Sequence, residues 1–138
     1  MGRLILGLAL GVLAAFATVF ALDFAGHQIY PLPSGLDMDD YQAVSAYVSA
    51  RPPGAVAFVF LAWFLGALDG GIVAAAISRR AWTVWPVAAL VAAAGIATVL
   101  MITHPIVQQI GAVAAPLLGG FFASLAARRI VAASGRPE

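Results

Sequence analysis

The sequence predicts an all-α membrane protein: a bundle of four transmembrane helices with a short interfacial helix in its first external loop. Three observations carry that prediction. Hydrophobic residues make up 63% of the 138-residue chain and charged residues only 9%, whereas soluble domains carry about 25% charged residues. So little polar surface cannot coat a soluble core, and lipid must be the solvent for much of the exterior. Four apolar runs, residues 4–22, 55–78, 82–103 and 106–127, are each long enough to cross roughly 30 Å of hydrocarbon as a helix. Lastly, the arginines fall at alternate span ends, which gives the crossings a direction.

The first run, 4–22, follows Arg3 and carries no charge. Backbone in lipid must satisfy its own polar groups, so only helices or closed barrels cross. A run without two-residue alternation is a helix. A competing reading makes residues 1–21 a cleaved secretory leader, with Val19 and Ala21 before the cut. The apolar stretch is longer than the usual run of about 7–15 residues, and a single cation precedes it, so the helix reading is preferred.

The loop 23–54 is the one segment outside the spans large enough to hold structure. Its first half is rich in Pro and Gly and reads as ordered turns. Its second half reads as a short helix, with Asp37 as N-cap and Asp39 and Asp40 at the positive end of the dipole. Met38, Tyr41, Val44 and Val48 share one face of that helix, and Arg51-Pro52-Pro53-Gly54 ends it. An apolar face beside a bilayer predicts a helix lying at the interface and capping the bundle.

The second run closes with Arg79 and Arg80, and Arg128, Arg129 and Arg136 follow the fourth. With the N-terminus inside, these five and Arg3 lie in the cytoplasm. Arg51 alone falls outside, together with Asp23, Asp37, Asp39 and Asp40. The positive-inside rule therefore predicts that both termini are cytoplasmic. Trp82 and Trp85, opening the third run, then lie at the cytoplasmic interface where indoles concentrate. Pro86 and Pro116 fall inside spans, which neighbouring helices tolerate by re-satisfying the freed carbonyls.

Small residues recur at every fourth position, giving each helix a close-packing face. The second span carries Ala62, Gly66, Gly70, Ala74 and Ser78. The fourth carries Gly111, Ala115, Gly119, Ala123 and Ala127, and the first carries Gly7, Gly11 and Ala15. Helices in lipid associate through close backbone approach, so these stripes are expected in the bundle interior, with homodimerisation as the competing use. Gly70-Gly71 precede Arg79-Arg80 at the same spacing as Gly119-Gly120 precede Arg128-Arg129. The first and third spans each lead outward to a histidine, His27 and His104. The pattern is that of two parallel helical hairpins, the product of a duplication or of chance similarity between Ala/Gly-rich segments.

The stretch GHQIYPLPSGLD (26–37), the run AWFLGALDGG (62–71) and the corner THP (103–105) together resemble a group of small four-span bacterial inner-membrane proteins of uncharacterised function. The resemblance covers most of the chain. Its motifs are built on Gly and Pro and mark shape rather than chemistry, so it implies topology and a bacterial inner-membrane location and supplies no activity. The use of Arg for every cation, with abundant Ala, Gly and Val, agrees with a GC-rich bacterial genome.

Two places could carry chemistry. Asp69 is the single acid within a span, and an intramembrane carboxylate marks a candidate proton or cation site. The plainer reading is a hydrogen-bonded aspartate near the inner interface. At the outer face, His27, Tyr30, Asp37, Asp40, His104 and Gln108 could converge, and His27 and His104 are weak candidates for a divalent metal site. Neither histidine belongs to a tight ligand spacing, so hydrogen bonds from the imidazoles to loop carbonyls are the expected arrangement. No cysteine is present, which removes disulfides and thiolate ligands. Phosphate loops, an activated serine and paired catalytic carboxylates are absent as well. No cofactor, no nucleic-acid partner and no enzyme activity is predicted. The expected role is a non-catalytic packing or partner subunit, or a small homo-oligomer. A small proton- or cation-coupled transporter or channel using Asp69 is the alternative, and a metal-dependent membrane enzyme is a remote third.

Overall fold

In the computed structural model, which describes residues 1–134, each apolar run is a helix, and four of the helices are long and apolar enough to cross a bilayer. The protein is an all-α integral membrane protein. The order is α1 (Gly2–Ile29), α2 (Tyr41–Ser49), α3 (Pro53–Ser78), a 3₁₀ turn (Ala81–Thr83), α4 (Val84–Met101) and α5 (Ile106–Ser134). The end that carries α2 is called the cap end below. The opposite end, where Arg3, Arg79, Arg80 and Arg128 lie, is the arginine end. Arg136, counted above among the cytoplasmic cations, lies outside the described residues.

α1 continues past Leu22, because nothing between Asp23 and Ile29 breaks a helix. It stops at Tyr30, which leaves the helical region at φ −122°, ψ 75° because the following Pro31 disfavours it. Its 28 residues measure about 42 Å at 1.5 Å each, more than the ~30 Å of hydrocarbon. The last turns, with Asp23 and His27, therefore project beyond the lipid core. The non-helical connection shrinks accordingly to Tyr30–Asp40 before α2 and Ala50–Pro52 after it, with Pro53 opening α3.

α2 is capped by Asp40 rather than Asp37. The Asp40 carboxylate accepts the Gln42 and Ala43 amides at 2.9 and 3.1 Å, while Asp37 accepts the Asp39 amide at 2.9 Å in the preceding turn. The helix thus starts later than the acidic run suggests. Val44 and Val48 are buried, but Met38, which precedes the helix, and Tyr41, which opens it, are both exposed. Gln108 ties the cap to α5 by donating from Nε2 to the Val48 carbonyl at 3.4 Å.

α3 is the central helix. α1 lies along one side of it, α5 along another, and α4 packs against both α3 and α5. The core is built of small residues and valines, including Ala15, Ala67, Ala74, Val87, Ala88, Val91 and Ala112, around Trp63. The four-residue stripes face inward as expected. Gly7 packs on Ala74 and Ser78, Gly66 on Ala15 and Val19, Gly111 beneath the Phe60 ring, and Gly119 on the Phe64 carbonyl and Ala67.

The two Gly pairs are not used equivalently. Gly70 faces α1 and Gly71 faces Val84 and Ala123, whereas Gly119 faces α3 and Gly120 faces Ala88 and Trp85 of α4. The first glycine of one pair meets its own hairpin partner, and the first glycine of the other meets the opposite hairpin. The Arg pairs differ too. Arg79 ends α3 in a left-handed conformation at φ 56°, while α5 stays helical through Arg128 and Arg129. Equal sequence spacing has not produced equal packing.

The α3–α4 turn is held by its own polar side chains. Buried Ser78 and Thr83 share a 3.0 Å hydrogen bond, Thr83 donates to the Arg80 carbonyl at 2.7 Å, and the Arg80 amide donates to Ser78 at 3.2 Å. Pro86 falls in the first turn of α4, where amides have no intrahelical acceptor, so no helix bond is lost there. Pro116 lies in the interior of α5 and is fully buried. The Ala112 carbonyl that it leaves without an amide faces Gly95 of α4, where an added Cβ would stand only 3.1 Å from that oxygen.

Candidate functional site

Asp69 lies on the α1-facing side of α3, one residue before the close contact at Gly70. It is about 24 Å along the helix axis from Pro53, toward the arginine end of the lipid core. Across the seam, the Thr18 hydroxyl donates a hydrogen bond to Asp69 Oδ2. The other oxygen, Oδ1, is buried and has no hydrogen-bond partner. A carboxylate in this setting can fasten α1 to α3, and its open oxygen can accept one more donor or a small cation.

Thr18 is absent from the sequence-predicted site. A signal for it exists, since Thr18 is the sole polar side chain in residues 4–22. Only the register of α1 against α3 identifies Asp69 as its partner.

The outer residues do not form one cluster. His27 and Tyr30 line a small cleft, with about 30 Å³ of room for water, together with Asp23, Tyr47 and Arg51. His27 Nδ1 donates to the Asp23 carbonyl one turn back at 2.7 Å. Tyr30 meets Phe58 edge to face at 6.2 Å, and the Arg51 guanidinium stands 5.0 Å over the Tyr47 ring. Asp37 and Asp40 are exposed; Asp40 caps α2 and Asp37 accepts the Asp39 amide in the turn before it. His104 and Gln108 belong to the α4–α5 corner instead. There, buried His104 donates from Nδ1 to the Ile102 carbonyl at 2.6 Å, and its own carbonyl accepts Gln109 Nε2 at 2.8 Å. Among the described residues no three or more His, Asp or Glu side chains come together as metal ligands. Each imidazole donates to a carbonyl of its own segment, His27 within α1 rather than to a loop and His104 at the α4–α5 corner.

Sequence reasoning also missed Asp23 and Arg51 as cleft residues. In the sequence Asp23 reads as a topological charge and Arg51 as a topological charge and helix-ending residue, because the continuation of α1 past Leu22 is what carries Asp23 toward Arg51. A scan against protein-family models, a search of curated proteins and a search of solved structures each found no match to this chain.

Proposed function

We propose that the chain is a non-catalytic membrane protein that acts through helix packing, as a subunit beside another membrane protein or as a small homo-oligomer. The observation that carries this reading is the placement of Asp69, whose carboxylate is engaged by Thr18 inside the α1–α3 seam. A polar pair between transmembrane helices holds them together. The small-residue stripes are consumed within the bundle, so the surface offered to a partner is the outward face of Leu and Phe. Phe20 and Phe24 on α1 and Leu117 and Phe121 on α5 are prominent there.

We place the chain in a bacterial inner membrane with both termini in the cytoplasm. The gathering of Arg3, Arg79, Arg80 and Arg128 at one end supports this orientation. The resemblance to small four-span bacterial proteins supports the membrane. A reporter fused after Glu138 is expected to be active only in the cytoplasm, and external activity reverses the assignment.

One observation favours the second reading, a proton- or cation-coupled transporter: the buried Asp69 Oδ1 has no partner. Asp69→Asn separates the two, because the amide oxygen still accepts from Thr18 while the titratable group is gone. Under the packing reading, purified wild type and Asp69→Asn have equal stability and equal proton and cation permeability in vesicles. A wild-type flux that the variant loses replaces packing with transport. A chain that is monomeric in nanodiscs and captures no membrane partner from cross-linked native membranes overturns the packing reading.

A further inference from the structure

A groove runs down the outside of the bundle between α3 and α5, starting at the cap end. Its upper part, about 390 Å³, opens beside Ser49, Arg51 and Gln108. Its lower part, about 510 Å³, is walled almost wholly by apolar side chains down to Phe64 and Leu118. Ala57, Phe60 and Val107 line both parts, so the two are continuous.

The depth of the groove is informative. Its walls run from Val107 to Leu118 on α5 and from Pro53 to Phe64 on α3, which is about 16 Å of helix on each side. That is about half of a ~30 Å hydrocarbon layer, or one leaflet. At its lower end the Phe64 ring meets the Phe122 ring edge to face with centroids 6.0 Å apart, joining α3 to α5 where the lining stops.

We propose that this groove holds one glycerophospholipid from the leaflet at the cap end, with an acyl chain in the apolar part and its phosphate at Arg51. Among the described residues Arg51 is the sole arginine away from the arginine end, and it stands at the mouth, at headgroup level. A guanidinium matches a phosphate in both charge and donor geometry. Asp23 faces Arg51 electrostatically from the adjoining cleft, and Tyr47 lies beneath its guanidinium, so the side chain is held between the two clefts. A transmembrane helix of a second copy would need a groove crossing both leaflets, and this one ends midway. The inference rests on the membrane-embedded fold alone and is independent of the role given to Asp69.

The test uses the full chain, purified in mild detergent and stripped of lipid, then titrated with phosphatidylglycerol and read by native mass spectrometry. Wild type is expected to retain one lipid per chain. Arg51→Gln is expected to weaken retention about tenfold through loss of a charge-assisted bond. Val107→Trp, which fills the junction of the two parts from an exposed position, is expected to weaken it comparably. Ala89→Phe, on the exposed face of α4, is expected to bind as wild type does. Diacylglycerol, which lacks the phosphate, is expected to bind wild type as weakly as phosphatidylglycerol binds Arg51→Gln. Retention unchanged in both groove variants, equal retention of diacylglycerol, or a wild-type dimer that Val107→Trp splits would each overturn the proposal, the last in favour of a second copy as occupant.

Discussion

The backbones of Gly11 and Gly70 touch across the α1–α3 seam: a Cβ on Gly11 would lie 2.6 Å from the Gly70 carbonyl oxygen, and a Cβ on Gly70 would lie 2.5 Å from that of Gly11. Hydrophobic burial does not drive helices together in lipid, so this approach and the van der Waals contact around it supply much of the association. The adjacent Thr18–Asp69 bond depends on the same approach.

Replacing Gly70 with Leu is expected to force α1 and α3 apart and to destabilise the bundle by about 1–3 kcal/mol, as overpacking does. Gly26→Ala is the contrasting case. Its Cβ would meet Phe58 at 3.5 Å, an ordinary contact, and replacing a glycine in the last turn of α1 gains about 0.5 kcal/mol or less of helix propensity. Reversible unfolding in mixed micelles, followed by circular dichroism, measures both. A Gly70→Leu variant as stable as wild type would remove the close contact from the account.

Thr18→Val keeps the shape at that position but removes the one hydrogen bond that the described residues make to the Asp69 carboxylate. It is expected to cost about 1–3 kcal/mol, because a buried polar group is left without any partner. Adding Asp69→Leu should recover most of that loss, since both polar groups are then gone. The four unfolding free energies form a cycle, and a coupling near zero would show that the two side chains do not interact.

Arg79 adopts a left-handed conformation at φ 56°, which costs a residue with a Cβ about 1–2 kcal/mol relative to glycine. Part of that is offset by the greater freedom of glycine in the unfolded chain. Arg79→Gly is therefore expected to stabilise the α3–α4 turn by about 0.5–1 kcal/mol. A rise in the thermal midpoint is the sign to look for. A fall would mean that the arginine side chain contributes more than its backbone conformation costs.

At the cap end, Asp40→Ala removes the acceptor of two amides and is expected to cost α2 about 1 kcal/mol. Amide exchange at Gln42 and Ala43 should accelerate accordingly. Asp37→Ala leaves those two amides capped and should leave their exchange unchanged. If the two substitutions act alike, the boundary of α2 is misplaced.

The membrane nature of the chain, its four crossings and the inward turn of the Gly and Ala stripes are all legible in composition and periodicity. The reason is that lipid imposes a nearly local rule: each span must satisfy its own backbone and present a continuous apolar surface. Relations between spans obey no such local rule. That Thr18 meets Asp69, that His27 and His104 belong to different corners, and that Gly70 and Gly119 face different neighbours all depend on helix register and rotation. Only the packing of one surface against another sets those. The same holds for the groove at Arg51, whose two walls are distant in sequence and meet only because α3 lies between α1 and α5.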